Sequence, residues 1–198
     1  MSYDDVRFLA LGELRELLGL IEREPVERLV RLLSAAPRVY TVGAGRSGLA
    51  MRGFAMRLMH LGMSSFVVGE PITPALRSGD LLVAGSGTGA TESLVVMCEK
   101  AKRLGAPLAL VTTSRDTPIG RIADLTVEIP VSRSGDSESA RGHTAGANQG
   151  GGRVVSRQPM ATLFEQALWL LLDSTIVMLM EQSHASSEEM FARHANLE

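Results

Sequence analysis

Five short runs rich in Val and Leu constrain this chain more than any other feature. They lie at 38–42, 65–68, 81–84, 108–112 and 125–129. Each reads as a strand covered on both faces, the setting that favours Val- and Leu-rich runs. Segments of helical character separate most of them, at 47–61, 91–104 and 118–122. Strands alternating with helices predict an α/β three-layer sandwich, a parallel sheet with helices on both sides. Ahead of this core, 3–35 carries Phe8, Leu11, Leu14, Leu17, Leu18 and Ile21 at helical spacing. Pro25 suits the first turn of a second helix bearing Val26, Leu29, Val30, Leu32 and Leu33. Behind it, a long apolar helix is predicted over about 160–182 and a short one over 187–192. At 198 residues the whole reads as a single domain: N-terminal helices 1–36, a βα core 37–131, a loop 132–158 and C-terminal helices 159–198.

Charge and cysteine content narrow the function classes. Twenty Lys and Arg stand against 22 Asp and Glu, a net charge of −2, so no basic excess points to nucleic acid or an anionic membrane. The opening MSYDDVRF does not read as a signal peptide. The most apolar stretch, 167–180, is interrupted by Asp173 and is shorter than a bilayer span, so it reads as a buried helix. The single cysteine, Cys98, excludes an intrachain disulfide framework and suits a reducing cytoplasm. It lies in a helical pattern beside Val95 and Val96, where a buried structural thiol is expected. Residues 132–158, SRSGDSESARGHTAGANQGGGRVVSRQ, are too poor in large apolar groups to offset ordering entropy. They are expected to be a mobile loop, either a disordered insertion or a lid.

Two glycine-rich loops carry the chemistry. The first, Gly43-Ala44-Gly45-Arg46-Ser47-Gly48, fits G-x-G-x-x-G between a strand and a helix. Glu70, at the end of the second strand, stands about where a dinucleotide fold places its ribose-binding acid, so NAD is a candidate ligand. A tight turn that needs glycine for backbone reasons is the plainer alternative. The second loop, Gly85-Ser86-Gly87-Thr88-Gly89-Ala90-Thr91-Glu92, opens another helix and adds three hydroxyls. On adjacent parallel strands, both loops would reach the carboxyl edge of the sheet, where open α/β folds bind ligands. Ser47, Ser86, Thr88 and Thr91 would then surround a terminal phosphate. An ordinary capped helix start, with Thr91 as the cap, is the competing reading. No G-x-x-x-x-G-K-[ST] is present, so nucleoside triphosphate hydrolysis has no support.

A general base would complete such a site. Glu165, in ATLFEQALWLLLD, is flanked by Leu163, Phe164 and Leu168, and partial desolvation there would strengthen it as a base. A solvated first-turn acid that complements the helix dipole is the alternative. His60 ends the helix of the first loop, where it could be only a favourable charge, and His194 lies in the tail MFARHANLE. His143 and His184 receive no role. The four histidines and the cysteine show no metal-ligand spacing.

Taken together, VGAGRSG, FAMRLMHLG, VGE, SGTGATES, MATLFEQ and MFARHANLE resemble the sugar isomerase (SIS) domain family. They are most similar to its 6-phospho-3-hexuloisomerase branch, from about Arg38 to Glu198. The resemblance implies a five-stranded parallel sheet in flavodoxin-like order and interconversion of D-arabino-hex-3-ulose 6-phosphate and fructose 6-phosphate. That step belongs to formaldehyde assimilation by the ribulose monophosphate pathway, coupled to hexulose-6-phosphate synthase. It implies no metal, no nucleotide cofactor, and a homotetramer with active sites at subunit interfaces. By the same resemblance Ser47, Ser86, Thr88 and Thr91 bind phosphate, and Gly45, Arg46 and Gly87 contact substrate. Glu165 is the base, and His60 and His194 are active-site histidines, one of them donated across an interface. Residues 136–157 resemble an insertion, and Ala161 stands where the family commonly has glycine. Another SIS isomerase acting on pentose or heptose phosphates, or a non-catalytic sugar-phosphate binder, would share both loops.

Overall fold

The five apolar runs become β1 Val39–Gly43, β2 Ser65–Val67, β3 Leu81–Gly85, β4 Leu108–Thr112 and β5 Leu125–Glu128. All pair in parallel, in the order β2-β1-β3-β4-β5. The computed structural model on which this rests describes residues 1–133 and 152–197. Alternate strand residues serve opposite layers. Val39, Leu81, Val83, Ala109, Val111 and Val127 pack under α1 Tyr3–Gly19, α2 Arg23–Ala35, α3 Gly45–His60 and α5 Thr162–Ser183. Tyr40, Val42, Leu82, Ala84, Leu108 and Leu110 pack against α4 Glu92–Arg103 on the other face. Each fully buried Leu or Val contributes about 1.5–3 kcal/mol. Such two-sided burial accounts for the lack of alternation in β1, β3 and β4. The edge strands depart from the expectation: β2 is only half-buried and β5 alternates buried with half-buried residues, because an edge strand has less cover.

At the amino edge of the sheet, Arg38 joins the start of β1 to the turn before β3. Its Nε and Nη2 donate to the two Asp80 carboxylate oxygens at 3.0 and 2.6 Å, and the Arg77 N–H adds a third bond at 2.6 Å. Burial alone would raise the Asp80 carboxyl, but these donors hold it below the usual aspartate range.

Three expectations change. Residues 118–122 are not a helix but consecutive turns. The Gly120 N–H donates to Thr117 Oγ1 and Ile119 plugs the α4 face, fully buried. Five residues supply too little hydrogen bonding to sustain helix nucleation there. Both ends of the expected loop 132–158 are ordered, because β6 Val131–Arg133 and β7 Val154–Ser156 form a separate parallel pair. Arg153 ties that pair to the main sheet, donating to the Thr113 and Val131 carbonyls and to Glu128. The middle of the loop, 134–151, lies outside the described residues, and with it the insertion or lid. Finally, α5 at 22 residues is long and apolar enough to cross a membrane by length and composition. Here it is a core helix, with Leu163, Phe164, Leu168, Leu172, Ile176 and Leu179 all buried in the α1–α3 layer. A last short helix, α6 Ser187–Phe191, is N-capped by Ser186.

The first glycine loop owes its spacing to packing. A Cβ on Gly48 would lie 2.7 Å from the Gly43 carbonyl oxygen, and one on Gly43 would lie 3.0 Å from Gly48 backbone. Gly45 starts α3 at φ +55°, a conformation that glycine adopts freely. Gly48→Ala should therefore destabilise the fold by about 1–3 kcal/mol, the usual cost of forced overpacking. Urea denaturation measures this, and a wild-type midpoint would refute the close-contact explanation.

Candidate active site

The β1–β3 register decides where the two loops meet. Gly43 lies opposite Gly85, so both chains leave the sheet side by side at its carboxyl edge. One enters α3 within two residues, and the other enters α4 after the Ser86–Thr91 turn. A cavity of about 370 Å³ opens between them, bordered by Ser47, Ser86, Gly87, Thr88 and Thr91. The structure thus brings together all four predicted phosphate hydroxyls. Ser47 falls in the first turn of α3, among backbone N–H groups that have no intrahelical acceptor. Thr91 occupies the N-cap position of α4 but its hydroxyl makes no capping bond, so the cap reading fails. Ser86 Oγ and Thr88 Oγ1 accept from the Gly89 and Ala90 N–H groups, which shapes the loop and leaves each hydroxyl proton for donation. The Gly87 carbonyl accepts from the Thr112 and Thr113 hydroxyls, fastening the loop to β4.

The remaining walls went unrecognised in the sequence. Thr113, Ser132, Ser156, Met160, Ala161, Leu163 and Phe164 also border the cavity. Thr113 follows β4 at the same carboxyl edge, and that position was a usable signal. Ser132 and Ser156 sit in the segment whose composition read as loop. Phe164 packs on Gly87, where an added Cβ would meet the ring at 3.2 Å. Met160 takes a left-handed conformation at φ 56° just before α5 begins.

Glu165 lies in the first turns of α5 beside this wall. Its side chain is only 15% exposed, which disfavours the solvated-acid reading, and its carboxylate is 2.5 Å from Arg46 Nε. Arg46, more than half exposed, follows Gly45 in the first loop. The predicted base and a predicted substrate contact are therefore ion-paired across the α3–α5 junction. Glu70 does not approach the cavity. It pairs with Arg52 and faces a separate hollow lined by Met59, Phe66 and Thr73, so the ribose-acid placement fails.

The histidines form a second centre. His60 ends α3, thirteen residues beyond Ser47, hence about 20 Å along the helix axis. The tail folds back there. Arg193 Nη1 donates to the His60 carbonyl at 3.1 Å, and the His60 and His194 rings stack with centroids 5.3 Å apart. They border a cavity of about 340 Å³ with Arg57, Asp173, Met180 and Phe191. Burial, then the Arg57 and His194 charges, hold the His60 imidazole below the usual histidine range. The structure thus unites the histidines with each other but not with Glu165. His184 is the left-handed C-cap of α5, and His143 lies outside the described residues. Cys98 is fully buried, its thiol pushed up to about 12 by desolvation, in keeping with a structural role. Among the described residues no group of three or more His, Cys, Asp or Glu could hold a metal ion.

Comparison with known proteins places this geometry in a family. The SIS domain model matches residues 32–140. A 3-hexulose-6-phosphate isomerase of Bacillus subtilis is 40% identical over 95% of this chain and 95% of its own. One from Mycobacterium gastri is 37% identical over 96% of this chain and 88% of its own. A Methanococcus jannaschii protein, whose crystal structure led to an inferred function of 3-hexulose-6-phosphate isomerase, superposes with a TM-score of 0.80. It is 29% identical over 98% of this chain and 99% of that one. The chain belongs to the SIS domain family.

Proposed function

We propose that the protein is a 3-hexulose-6-phosphate isomerase, interconverting D-arabino-hex-3-ulose 6-phosphate and D-fructose 6-phosphate. One observation carries the reading: Ser47, Ser86, Thr88 and Thr91 converge on one cavity, beside an α5 wall that leads into Glu165. Four hydroxyls and two helix starts suit a single terminal phosphate dianion. Relatives of that name at 37–40% identity support the reaction.

The substrate carries a ketone at C3 and a hydroxyl at C2. Glu165 removes the C2 proton, leaving an enediolate shared by C2 and C3, and returns the proton at C3. A second group transfers the hydroxyl proton between the two oxygens. Before reaction, Arg46 is ion-paired with the Glu165 carboxylate. Substrate oxygens then draw the guanidinium away and free the base. Phosphate binding supplies energy remote from the reacting carbons. His60 and His194 are too far along α3 to reach Glu165 of their own chain, so in this reading they serve a site on another copy. Because they stack on each other, they arrive together rather than singly. Met56, Met59, Trp169, Leu170 and Val177 stand exposed on α3 and α5, the helices that carry both centres. That apolar face supports a homo-oligomer, and we infer a homotetramer. The same reading places the enzyme in the cytoplasm, after a synthase that condenses formaldehyde with ribulose 5-phosphate.

An assay with hexulose 6-phosphate generated in place by a synthase decides the reaction. Fructose 6-phosphate should accumulate, and its absence, or turnover confined to pentose or heptose phosphates, removes the proposal. Glu165→Gln should keep fructose 6-phosphate affinity within about twofold but lower C2-proton exchange into deuterated water by at least about a hundredfold. Exchange near the wild-type rate would show that the base lies elsewhere.

The docked tail also predicts a pH dependence. Above the ordinary histidine value of about 6.5, His60 is neutral in both the folded and the unfolded chain. Below it the unfolded chain takes up the proton first, so folding stability declines as the pH falls through the lower folded value. His60→Gln should flatten that decline between about pH 7 and pH 5 in thermal melts. An unchanged slope would mean that His60 is not the group responsible.

A further inference from the structure

We infer that Glu13, on the N-terminal helix, is a positioning residue for the catalytic end of α5. Glu13 lies in α1, outside the residues matched by the SIS domain model, and its side chain is buried at 8% exposure. Its carboxylate accepts three hydrogen bonds from one short segment more than 140 residues away. Ser156 Oγ donates at 2.9 Å, the Arg157 N–H at 2.8 Å and Gln158 Nε2 at 3.0 Å. The Gln158 N–H in turn donates to Ser156 Oγ at 3.0 Å, closing the cluster.

This segment leads directly into the cavity wall. Ser156 borders the cavity, as do Met160 and Ala161. Helix α5 starts without a side-chain cap at Ala161. Its first N–H and the Thr162 hydroxyl donate instead to the Pro159 carbonyl, one residue beyond the part held by Glu13. The Glu165 N–H then donates to the Ala161 carbonyl. The position of the α5 start, with Met160 in its left-handed conformation, is therefore referred back to a carboxylate on α1. A buried acceptor is retained only where donors satisfy it, and here all three donors come from this one stretch. Small misplacement of a reacting group costs rate steeply, so loosening the anchor acts on catalysis before it acts on phosphate binding. The kinetic part of this inference rests on the isomerase reading.

Glu13→Gln keeps the side chain's shape but leaves one acceptor where there were two, so either the Ser156 hydroxyl or the Arg157 N–H loses its bond to residue 13 even when the Gln158 amide turns to offer its oxygen. It should lower kcat by roughly tenfold to a hundredfold while leaving KM within about twofold, because Ser47, Ser86, Thr88 and Thr91 are untouched. Amide exchange over 156–165 should rise. Glu13→Asp keeps both carboxylate acceptors and should retain much of kcat. Wild-type kcat in Glu13→Gln overturns the inference. So does a loss spread equally over kcat, KM and melting temperature that Glu13→Asp shares in full, since a general structural role predicts that. Should the wild-type protein fail to isomerise hexulose 6-phosphate, the functional reading falls separately. Amide exchange and fructose 6-phosphate titration then still decide: faster exchange at 156–165 with unchanged affinity supports the anchor, and unchanged exchange refutes it.

Discussion

The close approach of Gly43 and Gly48 is the constraint on which the site depends. The end of β1 and the first turn of α3 touch through backbone atoms, with no room for a side chain on either residue. This contact brings α3 down against the sheet at the place where Gly43 is registered with Gly85. Ser47 consequently borders the same cavity as Ser86 and Thr91. The glycines of the G-x-G-x-x-G pattern are required by packing and by one left-handed residue. What those glycines bring together is the set of hydroxyls that border one cavity.

The core was legible because its physics is local. A strand covered on both faces is rich in apolar residues throughout, and β3 and β4 are buried at every position and β1 at all but its last. The paired loops were legible for a related reason, since glycines and hydroxyls at a strand-to-helix junction have few other uses. The turn around Ile119 was misread as a helix because Pro118 and the Thr117–Gly120 bond are those of a helix start, yet the chain goes no further than consecutive turns. The loop boundary was misread because β6 and β7 have three residues each, and their pairing is held by Arg153 bonds that have no sequence periodicity.

The histidines illustrate a different limit. His60 and His194 could be singled out as a pair, but nothing in the residues stated how far they lie from Glu165. The length of α3 supplies that distance. A helix that begins at the first glycine loop must end about 20 Å away, so a histidine at its far end is remote from Glu165 of its own chain by construction. Within one chain α3 therefore acts as a spacer between two separate cavities.

Two buried carboxylates divide the labour of holding this arrangement. Asp80, 2% exposed, bonds Arg38 and the Arg77 N–H at the amino edge of the sheet, where no cavity hydroxyl lies. Glu13 bonds Ser156, Arg157 and Gln158 beside the cavity. Asp80 has a guanidinium partner that offsets its desolvation, whereas the described partners of Glu13 are neutral N–H and O–H donors. Neutral donors hold a carboxylate less tightly than a bidentate arginine, but they transmit its position to backbone, and backbone is what sets the start of a helix. A charge pair suffices to join two strands whose register is already fixed. Placing the end of α5, which no capping side chain fixes, requires an acceptor that reaches several consecutive residues at once, and Glu13 meets that requirement from a helix distant in sequence.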